Sequence, residues 1–201
     1  MKIHDLMIPD PITTTENASI SDAIELMKIN SIRHLPVVSK GNRLIGFVTL
    51  ADLKQGLLPS LLSDISLSDL MIKNPIVIDP DSDIEAAARL IYKHKIGGIP
   101  VVKNKKLVGI ITETDILRAF IDMMGLLTTS SRIDLIIDDR AGRFKTALQI
   151  INDMGGDIIS VGMTGQEASK RVYYFRLAPC KTGAIRSELE KEGFEVLNAM
   201  D

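Results

Sequence analysis

Residues 34 to 52, His-Leu-Pro-Val-Val-Ser-Lys-Gly-Asn-Arg-Leu-Ile-Gly-Phe-Val-Thr-Leu-Ala-Asp, return as Gly98 to Asp115, Gly-Ile-Pro-Val-Val-Lys-Asn-Lys-Lys-Leu-Val-Gly-Ile-Ile-Thr-Glu-Thr-Asp. The repeat extends upstream: Asp5-Leu6-Met7-Ile8 recurs as Asp69-Leu70-Met71-Ile72, and Pro11-Ile12 as Pro75-Ile76. One residue is lost between the copies, in the turn where Ser39 to Arg43 shortens to Asn104 to Lys106, as a surface hairpin tolerates. Two units are too few for a solenoid and are expected to fold together as a pseudo-symmetric pair.

Each unit reads strand, helix, strand, strand, helix. Ile12 to Thr15 and Ile76 to Ile78 are short β-branched runs after a proline. Helices follow from about Ser19 to Ile29 and from about Asp83 to His94. Ser19-x-x-Asp22 and Ser82-x-x-Glu85 are capping signals, the second the more typical. Ile20, Ala23, Ile24 and Met27, like Ile84, Ala87, Ala88 and Ile91, recur at helical spacing, one buried stripe per helix. Leu35 to Val38 and Ile99 to Val102 are apolar throughout, as in strands covered on both faces; Leu44 to Val48 and Leu107 to Ile111 pair with them. Closing helices are expected over Leu50 to Gln55 and Glu113 to Met124, and the apolar stretch 56 to 68 is expected to pack on the module.

After Met124 the chain turns small and polar, which sets a boundary. The expected division is 1–62 and 63–125 for the repeats, 126–131 for a linker and 132–201 for a further domain. In the last part Ile133 to Ile137 reads as a strand, and Phe144, Ala147, Leu148 and Ile151 as one helix face ending at Gly155-Gly156. Asp157 to Met163 and Arg171 to Leu177 form a hairpin around Thr164-Gly165; a helix over Thr182 to Lys191 stops at Gly193, and Phe194 to Asn198 is a strand. That order is βαββαβ, the ferredoxin-like plan. The fold class is therefore α/β (α+β).

A net charge of −2 gives no general pull on nucleic acid or anionic membrane. No apolar run approaches the roughly 20 residues of a bilayer span. The N-terminal residues lack the apolar core of a signal peptide, and the single cysteine, Cys180, excludes an internal disulfide framework. The expectation is a cytoplasmic protein without nucleic-acid or membrane partners.

Chemistry centres on Thr49-x-x-Asp52 and Thr112-x-x-Asp115. As capping boxes they need no ligand. A helix start also offers free N–H groups and a positive dipole end to a phosphate, and a carboxylate accepts from two vicinal ribose hydroxyls. Arg33-His34 precede the neighbouring strand, Arg33 as a natural phosphate partner and His34 as a donor or flat stacking surface; the second copy has Gly97-Gly98 there. Glycine permits close backbone approach, whether to a ligand or simply for a tight turn. His4, His34 and His94 show no metal spacing, and neither a nucleophile elbow nor a Walker loop is present. Catalysis and a bound metal are not expected.

With these motifs in place, residues 5 to 120 resemble a tandem CBS-domain pair, a Bateman module. The resemblance implies an adenosine ligand (AMP, ADP, ATP or S-adenosylmethionine) in clefts between the repeats. It implies ribose on Asp52 and Asp115, and phosphate or ribose on Thr49 and Thr112. Base and phosphate would be lined by Ile32, Arg33, His34, Ile96, Gly97 and Gly98, with main-chain groups of Ile12, Thr13, Ile76 and Val77 on the adenine. The last 70 residues resemble an ACT domain, whose strand-to-helix turn is here Asp139-Arg140-Ala141-Gly142, so Asp139 and Gly142 are its ligand candidates. The combination resembles the bacterial acetoin-utilisation protein B family. Implied are a non-catalytic regulator, a homodimer or tetramer, and an unidentified regulated protein. The competing reading is a structural dimerisation or protein-interaction module with no small-molecule ligand.

Overall fold

The structure is a computed structural model and describes residues 1–62, 65–164 and 170–201. The chain divides into two compact units, Met1–Arg118 and Ala119–Asp201. Both are mixed α+β, each around an antiparallel sheet.

In the first unit a short 3-10 turn (Ile3–Asp5) leads into β1 (Ile8–Pro9) and α1 (Ile20–Ile29). The hairpin of β2 (His34–Ser39) and β3 (Arg43–Thr49) follows, then α2 (Leu50–Leu62), α3 (Leu67–Leu70) and β4 (Ile72–Lys73). The second copy supplies α4 (Ile84–His94), the hairpin of β5 (Gly98–Lys103) and β6 (Lys106–Thr112), and α5 (Glu113–Met123). The shortened turn places Asn104 and Lys105 both at positive φ, the geometry of a two-residue hairpin loop that matches strand twist. The two hairpins meet where Arg43 stands opposite Lys106, with Asn42 Nδ2–H donating to Leu107 O at 2.8 Å and Leu107 N–H donating to Asn42 O at 3.0 Å.

The sequence repeat and the packed unit are out of phase. β1, at the head of the first copy, pairs with β6 of the second, and β4, at the head of the second, pairs with β3 of the first. Leu67 and Met71 accordingly join Ile20, Ala23, Met27, Leu35, Val37, Val48 and Leu53 in the first copy's core. Ile3 is equally buried, and its N–H donates to Ser82 O. A side chain at Gly46 would overlap the buried Met71, and a Cβ at Gly109 would lie 2.5 Å from Met7 Sδ and 3.1 Å from Ile8 O. The two glycines of the repeated motif therefore leave room for Met71 and Met7, which lead into the opposite copy's strands paired alongside them.

Three local expectations are corrected. The strands expected over Ile12–Thr15 and Ile76–Ile78 are single parallel bridges, Thr14 with Val37 and Ile78 with Val101. Each makes one pair of main-chain bonds with its hairpin before the chain turns into a helix. The capping box expected at Ser82 does not form. Asp83 is the N-cap of α4, makes no side-chain cap bond, and pairs instead with Lys2 Nζ at 2.8 Å. Ser19 does cap α1, accepting from the Asp22 N–H. Finally, α2 runs past Gln55 to Leu62. Gly56, inside the helix, is a contact point where any side chain would strike Leu70.

The second unit comprises β7 (Ser131–Asp138), α6 (Arg143–Asp153), β8 (Ile158–Thr164), β9 (Lys170–Leu177), α7 (Thr182–Lys191) and β10 (Glu195–Met200). The strands lie in the order β10-β7-β9-β8. Gly165, the expected hairpin tip, lies outside the described residues. Ile133, Leu135, Ile137, Phe175 and Leu177 pack with Ala147, Ile151, Ile185 and Leu189 of the helices. Period-2 alternation leaves Arg132, Asp134, Tyr174 and Arg176 on the opposite sheet face.

Candidate functional site

The corner between β3 and α2 is built by pairing. His34 stands opposite Thr49 in the β2–β3 ladder, and the Leu50 N–H donates to Arg33 O at 2.9 Å, tying the preceding loop to the helix start. The other copy repeats this with Gly98 opposite Thr112 and Glu113 N–H donating to Gly97 O.

At the first corner Asp52 Oδ2 accepts from Thr49 Oγ1–H at 2.6 Å and from Thr49 N–H at 3.2 Å, while Asp52 N–H donates to Thr49 Oγ1 at 3.2 Å. Asp115 Oδ2 accepts from Thr112 Oγ1–H at 2.6 Å and Thr112 N–H at 2.8 Å. Both are complete capping boxes, and Ser66 with Asp69 forms the same one at α3. The box alone therefore does not mark a site. In each of the two Thr-Asp corners one carboxylate oxygen is consumed, and Oδ1 has no hydrogen-bond partner among the described residues.

What sets the Asp52 corner apart is the space beside it. A cleft of about 340 Å³ is lined by His34, Phe47, Thr49 and Asp52 from the first copy and by Ile72, Pro75, Ile76 and Lys95 to Gly98 from the second. An adjoining hollow of about 430 Å³ shares His34, Thr49 and Gly97 and adds Arg33, Leu50, Ala51, Lys54 and Glu113. A largely apolar chamber with Asp52 and Lys95 in its wall thus shares Thr49 with a hollow at the start of α2, where Arg33, Lys54 and Glu113 stand.

His34 is the partition. Its ring stacks on Phe47, centroids 5.9 Å apart and planes 11° from parallel, and reaches across to the other copy. A Cβ on Gly97 would lie 2.8 Å from His34 Nε2, and one on Gly98 would lie 3.2 Å from its Cγ. The replacement of Arg-His by Gly-Gly in the second copy is therefore steric: both imidazoles could not occupy the pseudo-dyad. Burial, then the neighbouring Arg33 charge, lowers the His34 pKa below its ordinary 6.5. The native state then binds fewer protons than the unfolded chain once pH drops below about 6.5, and stability rises with pH through that window. His34→Gln should flatten the pH dependence of stability just below about pH 6.5 in urea titrations; an unchanged slope would mean that His34 is not the titrating group.

Of the residues named from sequence, His34, Thr49, Asp52, Ile76, Ile96, Gly97 and Gly98 meet in the cleft, and Arg33 lines the adjoining hollow. Ile12, Thr13, Ile32, Val77, Thr112 and Asp115 line neither. Phe47, Ile72, Pro75, Lys95, Lys54 and Glu113 were missed. Pro75 repeats Pro11 beside a named position, and Lys54 follows Asp52 within one helical turn, so both carried a signal. In the second unit Asp139 lies 3.7 Å from Arg171 Nε, and Gly142 caps α6 at φ +88°. Beside that turn the Arg140 guanidinium grips Asp138 at 2.7 and 2.9 Å, holding its pKa down to about 2.

Fold and site together define a duplicated α+β module with a nucleoside-sized cleft between its copies. The chain belongs to the CBS-domain family, matched over residues 3–58 and 67–122. It is 37% identical over 117 residues to a homoserine O-acetyltransferase of Methanohalobium evestigatum, covering 58% of this chain but only 23% of that enzyme. Three solved structures share the fold. The CBS domain pair of protein MJ0100, in complex with 5′-methylthioadenosine and S-adenosyl-L-methionine, is 30% identical with a TM-score of 0.56, over 60% of this chain and 95% of that one. A Vibrio cholerae protein assigned to acetoin utilization (AcuB) is 33% identical with a TM-score of 0.57, over 63% of this chain and 94% of that one. CBSX2 in complex with AMP is 30% identical with a TM-score of 0.54, over 60% and 96%.

Proposed function

We propose that this chain is a non-catalytic sensor that takes an adenosine nucleotide in the cleft beside Asp52. The observation that carries this reading is the hollow itself: a capped corner from one copy faces Pro75, Ile76 and Ile96 from the other. Asp52 Oδ1 accepts from the ribose hydroxyls, and the apolar walls take the base. The phosphates pass Thr49 to the start of α2, where Arg33 and Lys54 provide charge. AMP bound to CBSX2, and the adenosine compounds bound to the MJ0100 pair, support the ligand class. Because the cleft is made by both copies, a ligand that fits one arrangement better shifts the pair toward it. Thr112 and Asp115, with Ile12, Thr13, Ile32 and Val77, form the weaker second corner.

We read the βαββαβ unit as an ACT domain that pairs with a second copy or holds an amino-acid-type ligand at the Asp139–Gly142 turn. The chain as a whole is then a cytoplasmic homodimer or tetramer, organised like acetoin-utilisation protein B and acting on an unidentified protein. The AcuB likeness supports the first unit of that reading.

Thermal unfolding of the full chain with AMP, ADP, ATP, S-adenosylmethionine and adenosine tests the sensor. A ligand at 100 times its dissociation constant is expected to stabilise by about 2.7 kcal/mol. No shift with any of them leaves the scaffold reading standing. Arg33→Ala and Lys54→Ala should each weaken AMP about tenfold, the value of a charge-assisted hydrogen bond, while adenosine changes less than about twofold. Equal losses for both ligands would remove the phosphate assignment.

A further inference from the structure

The second unit holds a hollow of about 500 Å³ on the sheet face away from its helices, and no residue of the Asp139–Gly142 turn lines it. Its lining is Met124, Leu126, Arg132, Gly162, Met163, Thr164, Tyr174, Phe175 and Arg176. The volume falls in the range of small-molecule pockets. None of the described residues lining it is acidic.

The charge arrangement is unusual. Arg132 on β7 and Arg176 on β9 stand directly opposite each other in the ladder, a like-charge pair that destabilises a sheet unless something compensates it. Asp134 takes Arg132 Nε at 2.7 Å, and the Arg132 guanidinium also lies 5.2 Å from the centre of the Tyr174 ring. Arg176 donates to Ser130 Oγ and meets no carboxylate among the described residues. Two guanidinium groups are thus offset by one carboxylate, itself nearly buried, leaving one positive charge at the rim of an apolar hollow.

Gly162 keeps the hollow open. It faces Tyr174 across the β8–β9 ladder, and a Cβ there would lie 3.0 Å from Met124 Cε. Met124, Leu126 and Met163 supply flexible apolar walls, and methionine adapts readily to ligands of varied shape.

We infer that this hollow binds a small monocarboxylate with an apolar body, its carboxylate on Arg176 and Arg132 and its chain among Met124, Leu126 and Met163. A carboxylate matches a guanidinium fork, and a single negative charge neutralises the excess. The site is independent of the adenosine cleft, so its failure would leave that reading untouched.

The test is isothermal titration of the full chain with octanoate, hexanoate, acetate and the neutral isostere octanamide. Octanoate binds, with affinity rising from acetate by up to about fourfold per methylene buried. Octanamide binds at least about tenfold more weakly, since it lacks the charge. Arg176→Gln and Gly162→Val each weaken octanoate about tenfold or more, the first by removing charge and the second by filling the hollow. Arg176→Gln should retain the parent's thermal unfolding transition, because Asp134 keeps its Arg132 partner, whereas Gly162→Val must push Met124 aside. No octanoate binding, equal binding of octanamide, or parent-like affinity in folded Arg176→Gln would each overturn the inference. Should Gly162→Val fail to fold, the octanamide and Arg176→Gln arms decide alone.

Discussion

Asp52→Ala is expected to weaken AMP by about ten- to a hundredfold, because hydrogen bonds to a charged acceptor contribute about 1.5–3 kcal/mol and each 1.4 kcal/mol is tenfold in affinity. The same change removes a capping partner, since Asp52 Oδ2 holds both the N–H and the hydroxyl of Thr49. Stability should therefore fall by roughly 0.5–2 kcal/mol, the usual cost of a lost cap. The two effects are separable within this chain. Asp69 makes the same box with Ser66, with oxygen distances of 2.6 and 2.9 Å, but lines neither the cleft nor the hollow adjoining it. Asp69→Ala is the control: it should lose stability to a similar degree and leave AMP affinity unchanged. Measuring affinity by titration and stability by urea unfolding gives both quantities for both variants. If Asp52→Ala and Asp69→Ala behave alike in both assays, Asp52 is a cap and the ribose assignment fails.

That contrast also marks where sequence reading reaches its limit. Thr-x-x-Asp and Ser-x-x-Asp have the same local physics and make the same bonds. Only the surroundings differ, and those come from residues far away in the chain, such as Pro75 and Lys95 beside Asp52. The hairpins and the amphipathic helices α1 and α4 were legible, because apolar spacing is set within each element. Ile12–Thr15 and Ile76–Ile78 have the composition of strands, but strand length depends on a partner, and each finds one bridge. Ser82 lost its cap to a tertiary competitor, the Lys2–Asp83 pair, which no local window contains. The Arg-His to Gly-Gly exchange was visible as an asymmetry. Its cause, one imidazole occupying the axis for both copies, needed the distances from His34 to Gly97 and Gly98.

The least legible feature was the phase shift between repeat and packed unit, and it supports the largest stability prediction. Gly46 sits in β3 with a hydrophobic neighbour on either side, where β-propensity alone would favour valine. Gly46→Ala should nevertheless destabilise by about 1–3 kcal/mol, the cost of overpacking a filled core, because the added methyl enters the space of Met71. Met71 is 9% exposed and belongs to the first copy's core, so it has little room to retreat. Met71→Ala alone should cost about 2–5 kcal/mol by leaving a cavity. In the double variant the new methyl fills part of that cavity, so the combined loss should fall short of the sum by about 0.5–3 kcal/mol. Urea unfolding of the four proteins measures this coupling. A sum that is additive within error would mean that Met71 does not fill the space over Gly46. A coupling of the expected sign makes the glycine of the repeated motif a contact point, which places Ile72 and Pro75 from the second copy against the Asp52 corner of the first.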